Sequence, residues 1–302
     1  MSEQLHPQGF ETLIYGVEDR IATITLNQPD ALNTVTTQMV HDLVAAFDLV
    51  DADDEVRAVI VTGAGRAFCA GADMTGGADT FEKTSESFDP DAEAESSGLK
   101  LRDGGGVVAL RIFSCLKPVI AAVNGAAAGV GATMILPMDV RLASSESKFG
   151  FVFARRGIIP EACSSWFLPR VVGITQALEW SYRGDVFPPA EALDGGLIKS
   201  IHDPEDLLPA AREVARSFVE NTSAVSIAMT RQMMWRMLGA VHPMTAHQIN
   251  SAAVPQLGAS ADAREGVESF FEKRPANFTL GPSGNMPAVY PWFTEPDFEP
   301  LD

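Results

Sequence analysis

The chain has 302 residues, 46% hydrophobic and 21% charged, a balance that excludes disorder as the main state and suits one large globular domain or two modest ones. Its 22 basic and 40 acidic residues leave a net charge of −18, so the averaged surface repels phosphate backbones and anionic lipid and speaks against a nucleic-acid or membrane partner. Cys69, Cys115 and Cys163 lack CxxC spacing, residues 1–10 lack a leader's basic and apolar regions, and no apolar run reaches the roughly 20 residues of a bilayer span; a reducing, cytoplasmic setting is expected.

In chain order, residues 13–15 (LIY) and 21–26 (IATITL) read as strands separated by Gly16-Val17-Glu18-Asp19, a hairpin signal. After Gln28-Pro29-Asp30, Val40, Leu43, Val44, Phe47 and Val50 recur at helical spacing, with Thr36 or Thr37 as cap. VRAVIVT at 56–62, KPVIAAVN at 117–124 and residues 140–143 predict buried strands with helix-competent stretches between them, an α/β pattern. Residues 76–106, rich in Ser, Gly and acids, predict a long loop, either a solvated insertion or a lid over a ligand. From Leu207 the pattern turns helical: 207–219, 224–237 and 261–271 carry apolar residues at intervals of three and four, packing either on a neighbouring subunit or within the chain. Residues 275–302 hold six prolines with Phe278, Tyr290, Trp292, Phe293 and Phe298, which predicts no regular structure but docked aromatics. The expected organisation is a core over 1–204, a helical region over 205–274 and an extended tail over 275–302.

Two segments of small residues follow strands: GAGRAFCAGADM at 63–74 and NGAAAGVGA at 124–132. Such residues let backbone approach a ligand, and free amides at a helix start attract negative charge. Singly, each is also what a tight turn or close helix packing requires, and the second has neither GxGxxG nor GK[ST] spacing. In this order, and together with DALN at 30–33, Lys117-Pro118, Asp139, Phe149-Gly150 and ALDGGL at 192–197, they resemble the enoyl-CoA hydratase/isomerase family, the crotonase superfamily, over roughly residues 13–271. The resemblance implies an α/β fold, a crotonase (ClpP-like) spiral of ββα turns with a C-terminal helical oligomerisation region, assembled as a homotrimer or a dimer of trimers. It leaves the reaction open, because one scaffold hosts many chemistries.

The resemblance implies that the N–H groups of Ala72 and Val130 hold the thioester oxygen of an acyl-CoA substrate as it becomes an enolate. Removing one such donor typically costs on the order of 3 kcal/mol, and the dipole of the helix opened by Gly129 would add to the pair. Val130 departs from the glycine common here in hydratases, a change of shape more than of chemistry, since only its backbone is used. Coenzyme A would lie along Ala70, Gly71, Ala72, Asp73 and Met74, with Arg66 meeting the nucleotide phosphates or standing as a solvated loop charge; Arg155 and Arg156 are further candidates. It enters as part of the substrate, and neither a permanently bound cofactor nor a metal is implied.

The family's hydratases place one carboxylate after the second glycine segment and another four residues past Phe-Gly. Those positions are Thr133 and Phe153 here, which counts against syn-hydration by an acid pair. One carboxylate stands in a suitable segment, Glu161 in GIIPEACSSW at 157–166, near a helix start and among Ile158, Ile159 and Trp166. A helix start lowers a carboxyl pKa and desolvation raises it, so the sequence leaves the sign open. An isolated Pro-Glu pair is equally a helix-start acid. Within the resemblance, P-E-x-C-S-S is similar to the peroxisomal-type Δ3,Δ2-enoyl-CoA isomerases, where this Glu is the base; 4-chlorobenzoyl-CoA dehalogenases carry an Asp nucleophile at the corresponding position. One carboxylate suffices for a 1,3-proton shift, so the expected activity is enoyl-CoA isomerase, moving a 3-enoyl double bond to the 2 position in fatty-acid metabolism. The alternatives are an enoyl-CoA hydratase or related lyase with water held by Thr133 or Ser164, and a non-catalytic acyl-CoA-binding protein. The scattered histidines, Asp139 and Glu146 read as structural.

Overall fold

A computed structural model describes residues 9–77, 80–81 and 102–298. Strands β1 (Leu13–Glu18) and β2 (Ile21–Leu26) form the expected hairpin, but its turn lies at Asp19-Arg20 and not at 16–19. Both turn residues have positive φ, 52° and 65°, the geometry that matches strand twist in a two-residue hairpin loop. The Thr36 hydroxyl caps α1 (Thr37–Ala52), accepting from the Met39 N–H at 3.2 Å, and the helix buries Val40, Leu43, Phe47 and Val50 as their spacing predicts.

Thereafter the chain delivers strands in pairs: β3 (Ala58–Gly63) with β4 (Ala67–Cys69), β5 (Val119–Val123) with β6 (Ala126–Ala128), and β7 (Val140–Ser144) with β8 (Lys148–Gly150). The first of each pair joins a six-stranded sheet of order β1-β2-β3-β5-β7-β10; the second joins a four-stranded sheet of order β4-β6-β8-β9. Strand β9 (Val186–Phe187) runs antiparallel to β8, and β10 (Ser200–His202) parallel to β7. Both sheets thus advance together, one spiral turn at a time. Parallel strands covered on both faces demand unbroken apolar runs, and every residue of β5 is buried. Two asparagines bind the turns to one another. The Asn124 side chain accepts from the Gly63 N–H and donates to the Gly65 carbonyl, both at 3.0 Å; buried Asn33 accepts from the Gln28 N–H and donates to the carbonyls of Ala64 and Ala67. The DALN and Asn-Gly motifs therefore satisfy backbone groups that the stacked turns would otherwise bury unpaired.

Helix α2 (Gly104–Ser114) begins inside the stretch expected as loop, because Asp103 caps it; residues 76, 80–81 and 102–103 are irregular or in turns as expected, and residues 78–79 and 82–101 lie outside the described residues. After β6 the expected apolar helix is a single turn, α3 (Val130–Thr133). Helices α4 (Ser164–Val172), α5 (Ile174–Arg183) and α6 (Pro189–Asp194) follow, then α7 (Leu207–Val219), α8 (Ala224–Met237), α9 (Met244–Gly258) and α10 (Ala261–Glu272). Helix α9 was not expected; it buries just Ile249 and Ala253, so its apolar period is faint. The tail contains one helical turn, α11 (Pro282–Asn285), against the expectation of none. Its aromatics do dock: Tyr290, Trp292 and Phe293 meet edge to face, and Arg236 lies 3.3 Å from the Phe293 ring centroid and pairs with Glu295. Among the described residues no helix is long and apolar enough to cross a membrane.

Helix α8 is fastened to the spiral by one buried cation. Arg231 donates to Asp139 at 2.9 Å and to the carbonyls of Ile112 and Phe113 at 2.9 Å, capping the C-terminus of α2, while Asp139 also accepts from the Val119 N–H and the Trp235 indole. Arg231→Met would leave a partly buried carboxylate and those carbonyls without their donor. A loss of about 3–5 kcal/mol in urea-unfolding stability is expected; a change below 1 kcal/mol in that titration contradicts it.

Candidate active site

Strands β4 and β6 are parallel neighbours, so the two glycine segments leave the smaller sheet side by side. A Cβ on Gly129 would stand 3.8 Å from Gly71 Cα, and one on Gly71 would stand 3.3 Å from the Ala128 carbonyl oxygen. Both glycines hold positive φ, 54° and 124°, which turns the following amide away from the ladder. Flanking groups are paired: Gly71 accepts from the Val35 N–H at 2.8 Å, and the Gly129 N–H donates to Gly150 at 2.9 Å. The N–H groups of Ala72 and Val130 donate no hydrogen bond among the described residues. With only four residues in α3 few peptide dipoles align, so the asset is two fixed donors and not the macrodipole that the sequence suggested.

Glu161 reaches the same place. Buried Thr133 on α3 donates to Glu161 Oε1 at 2.6 Å, whereas Oε2 is buried without a partner among the described residues. Oε2 lies against the first turn of α2: a Cβ on Gly105 would stand 2.1 Å from it, 2.9 Å from Val130 Cγ2 and 3.2 Å from Ala162 Cβ. The carboxylate, the Val130 turn and the start of α2 therefore converge. Burial, and then the Asp103 carboxylate, push the Glu161 carboxyl up to about 7, partly offset by the Thr133 hydrogen bond. That settles the sign left open by the sequence: α4 starts three residues later, at Ser164, and desolvation dominates. Ile159, expected among the apolar neighbours, is 82% exposed, and Trp166 packs edge-on against Phe113 and Phe167; Val130, Ala162 and the α2 backbone crowd the carboxylate instead. Ala162 and Cys163 both sit in the left-handed region, φ 55° and 54°, at about 1–2 kcal/mol each for an L-residue.

The other sequence-derived positions are less tightly organised. Arg66 is exposed at the β3–β4 turn, with no ion pair among the described residues. The Ala70 N–H donates to Leu32, Asp73 accepts from the Thr75 N–H and Met74 is half exposed. Arg155 is engaged with Asp185 and the Arg183 carbonyl. Phe153 is buried, and the Ser164 hydroxyl is buried without a partner among the described residues. Burial pushes the Cys69 thiol up to about 12, which leaves it inert. Sequence reasoning missed Asp103 and Gly105. Asp103 Oδ1 accepts from the Gly105 N–H at 3.0 Å, and Oδ2 accepts from Gly106 at 2.9 Å and Ala162 at 2.6 Å. The signal was Asp103 directly before an apolar periodic run, a cap signature masked by three glycines. A separate cavity of about 650 Å³, lined by Val225, Val254, Phe278 and Met286 among others, shares no residue with this site.

The family model described as enoyl-CoA hydratase/isomerase matches residues 16–281. An enoyl-CoA hydratase of Alternaria alternata is 40% identical over 261 residues, spanning 86% of this chain and 83% of its own. The 1,2-epoxyphenylacetyl-CoA isomerase of Escherichia coli is 32% identical over 283 residues, spanning 89% and 98%. Among solved structures, an enoyl-CoA hydratase/isomerase from Mycobacterium paratuberculosis superposes with a TM-score of 0.77 at 28% identity, over 90% of this chain and 99% of that one.

Proposed function

Because this chain belongs to the enoyl-CoA hydratase/isomerase family, we propose that it is an enoyl-CoA isomerase in which Glu161 carries a proton from C2 to C4 of a 3-enoyl-CoA. The observation that carries this reading is a buried carboxylate with Oε1 held by Thr133, Oε2 unpartnered among the described residues, and the Val130 turn beside it. Two amide donors on the thioester oxygen acidify C2–H. Oε2 takes that proton, the electron pair spreads over a dienolate held by the Ala72 and Val130 N–H groups, and Glu161 returns the proton at C4. The double bond then lies between C2 and C3, and the enzyme is unchanged. Arg66 and residues 70–74 are assigned to the nucleotide phosphates and pantetheine on the family pattern. A homotrimer or dimer of trimers belongs to the same reading, and the exposed Val267, Phe270 and Phe271 of α10 support an interface there.

Hydration is the second reading, favoured by the name of the Alternaria relative and by the Ser164 hydroxyl, which has no partner among the described residues and could hold a water. Supplying a 3-enoyl-CoA and a 2-enoyl-CoA separately distinguishes them: isomerisation raises the conjugated-thioester absorbance of the first, hydration lowers that of the second. Silence with both, and no exchange of C2 protons in heavy water, leaves a binding protein. The pH profile gives a further expected result. A base must be ionised to act, and burial holds the Glu161 proton up to about 7 in the free enzyme, so kcat/KM should fall tenfold per pH unit below that value and level off above about 8. A profile flat from pH 5 to 8 contradicts Glu161 as base.

A further inference from the structure

We propose that Asp103 is a positioning residue for Glu161, clamping the loop that carries the base onto the first turn of α2; the inference rests on the reading of Glu161 as base. Asp103 is the cap of α2, yet its Oδ2 also accepts from the Ala162 N–H at 2.6 Å, shorter than its bonds to Gly105 and Gly106 and 59 residues away in sequence. Ala162 directly follows Glu161 and, with Cys163, holds a left-handed conformation that L-residues abandon unless surrounding contacts enforce it. The clamp is such a contact. It also fixes Gly105, against which Glu161 Oε2 rests, so one carboxylate orders both the loop bearing the base and the wall behind it.

Asp103 acts by charge as well. Glu161 is faced by Asp103 from the start of α2, with Arg102 beside it, by the Thr133 hydroxyl from α3, and by the thiols of Cys69 on β4 and Cys163 on its own loop. Burial raises both thiols, which stay neutral, so Asp103 supplies the negative charge that helps keep the base protonated to higher pH.

The test uses Asp103→Asn and Asp103→Ser in the full chain, with Glu161→Gln alongside. Asn and Ser both retain a cap oxygen for α2, so folding is preserved and is checked by the thermal midpoint. Asn loses the charge and must turn its NH2 group toward an N–H donor that Asp103 accepts from, Gly105 on one side or Gly106 and Ala162 on the other; Ser is too short to reach Ala162. Both variants should lower kcat about 10- to 100-fold with KM for the CoA ester within about threefold, since a base displaced by an ångström loses rate and not binding. In both, the acidic limb of the pH profile should move to lower pH. Unchanged kcat and limb overturn the inference. If Glu161→Gln is itself fully active, the base reading fails, and the inference is then judged by the Glu161 carboxyl infrared band, assigned by its loss in Glu161→Gln. A pH-titration midpoint of that band that falls in Asp103→Asn supports the inference; an unmoved titration midpoint overturns it.

Discussion

Glu161→Gln is expected to lower isomerisation of a 3-enoyl-CoA by about 10²- to 10⁴-fold while leaving the dissociation constant of the CoA ester within a few-fold. Glutamine has the shape of the acid and can still accept from Thr133 on its carbonyl oxygen, so the packing around Gly105, Val130 and Ala162 is retained. What disappears is the lone pair that takes the C2 proton. Binding survives because the groups assigned to it, the Ala72 and Val130 amides and residues 66–74, are untouched. A stability measurement separates chemistry from misfolding. The folded carboxyl holds its proton to about 7 against an ordinary 4.5, so the native state binds more protons in that window and stability falls as pH rises through it. Glutamine removes that penalty, and the variant should be more stable than the parent above pH 7 by about 1–3 kcal/mol. Full turnover by Glu161→Gln would sink the proposed mechanism.

The second large effect concerns an atom that ordinary mutagenesis leaves in place. Val130→Pro removes one proposed oxyanion donor and should cost about 10²- to 10³-fold in kcat. Position 130 is the first residue of α3, where proline is tolerated because its fixed φ suits a helix start and its N–H has no intrahelical partner. Val130→Ala is the control: it deletes the side chain facing Gly105 but keeps the N–H, and should remain within about tenfold of the parent. Equal losses in the two variants would mean that the side chain, and not the amide, matters here.

Both predictions depend on groups legible to different degrees in the chain. The paired glycine segments, the strands they follow and the Thr36 cap were readable because each reports a local rule: apolar runs for doubly covered strands, small residues for close backbone approach, a hydroxyl for orphan amides. Glu161 was readable only as a carboxylate in a family-like segment. Its apolar surroundings were misassigned to Ile159, since side-chain direction in a loop follows from backbone angles that no period encodes. Helix α9 escaped for a related reason: it buries too little to impress a pattern on its residues.

By itself the sequence determined the class of fold, the first five strands of the larger sheet, several of the helices and the family, whose resemblance pointed to the two amides and one carboxylate worth testing. The elements are properties of composition, local propensity and short motifs, which act within a few residues, and the site groups are what the family pattern implies. The tertiary structure decided what those residues are. It brought Thr133 to one oxygen of Glu161, set Gly105 against the other, placed the Asp103 carboxylate across 59 residues onto Ala162, and through burial lifted the carboxyl to about 7. Protonation and positioning depend on desolvation and on hydrogen bonds between segments remote in the chain, and those arise only when the spiral closes around the site.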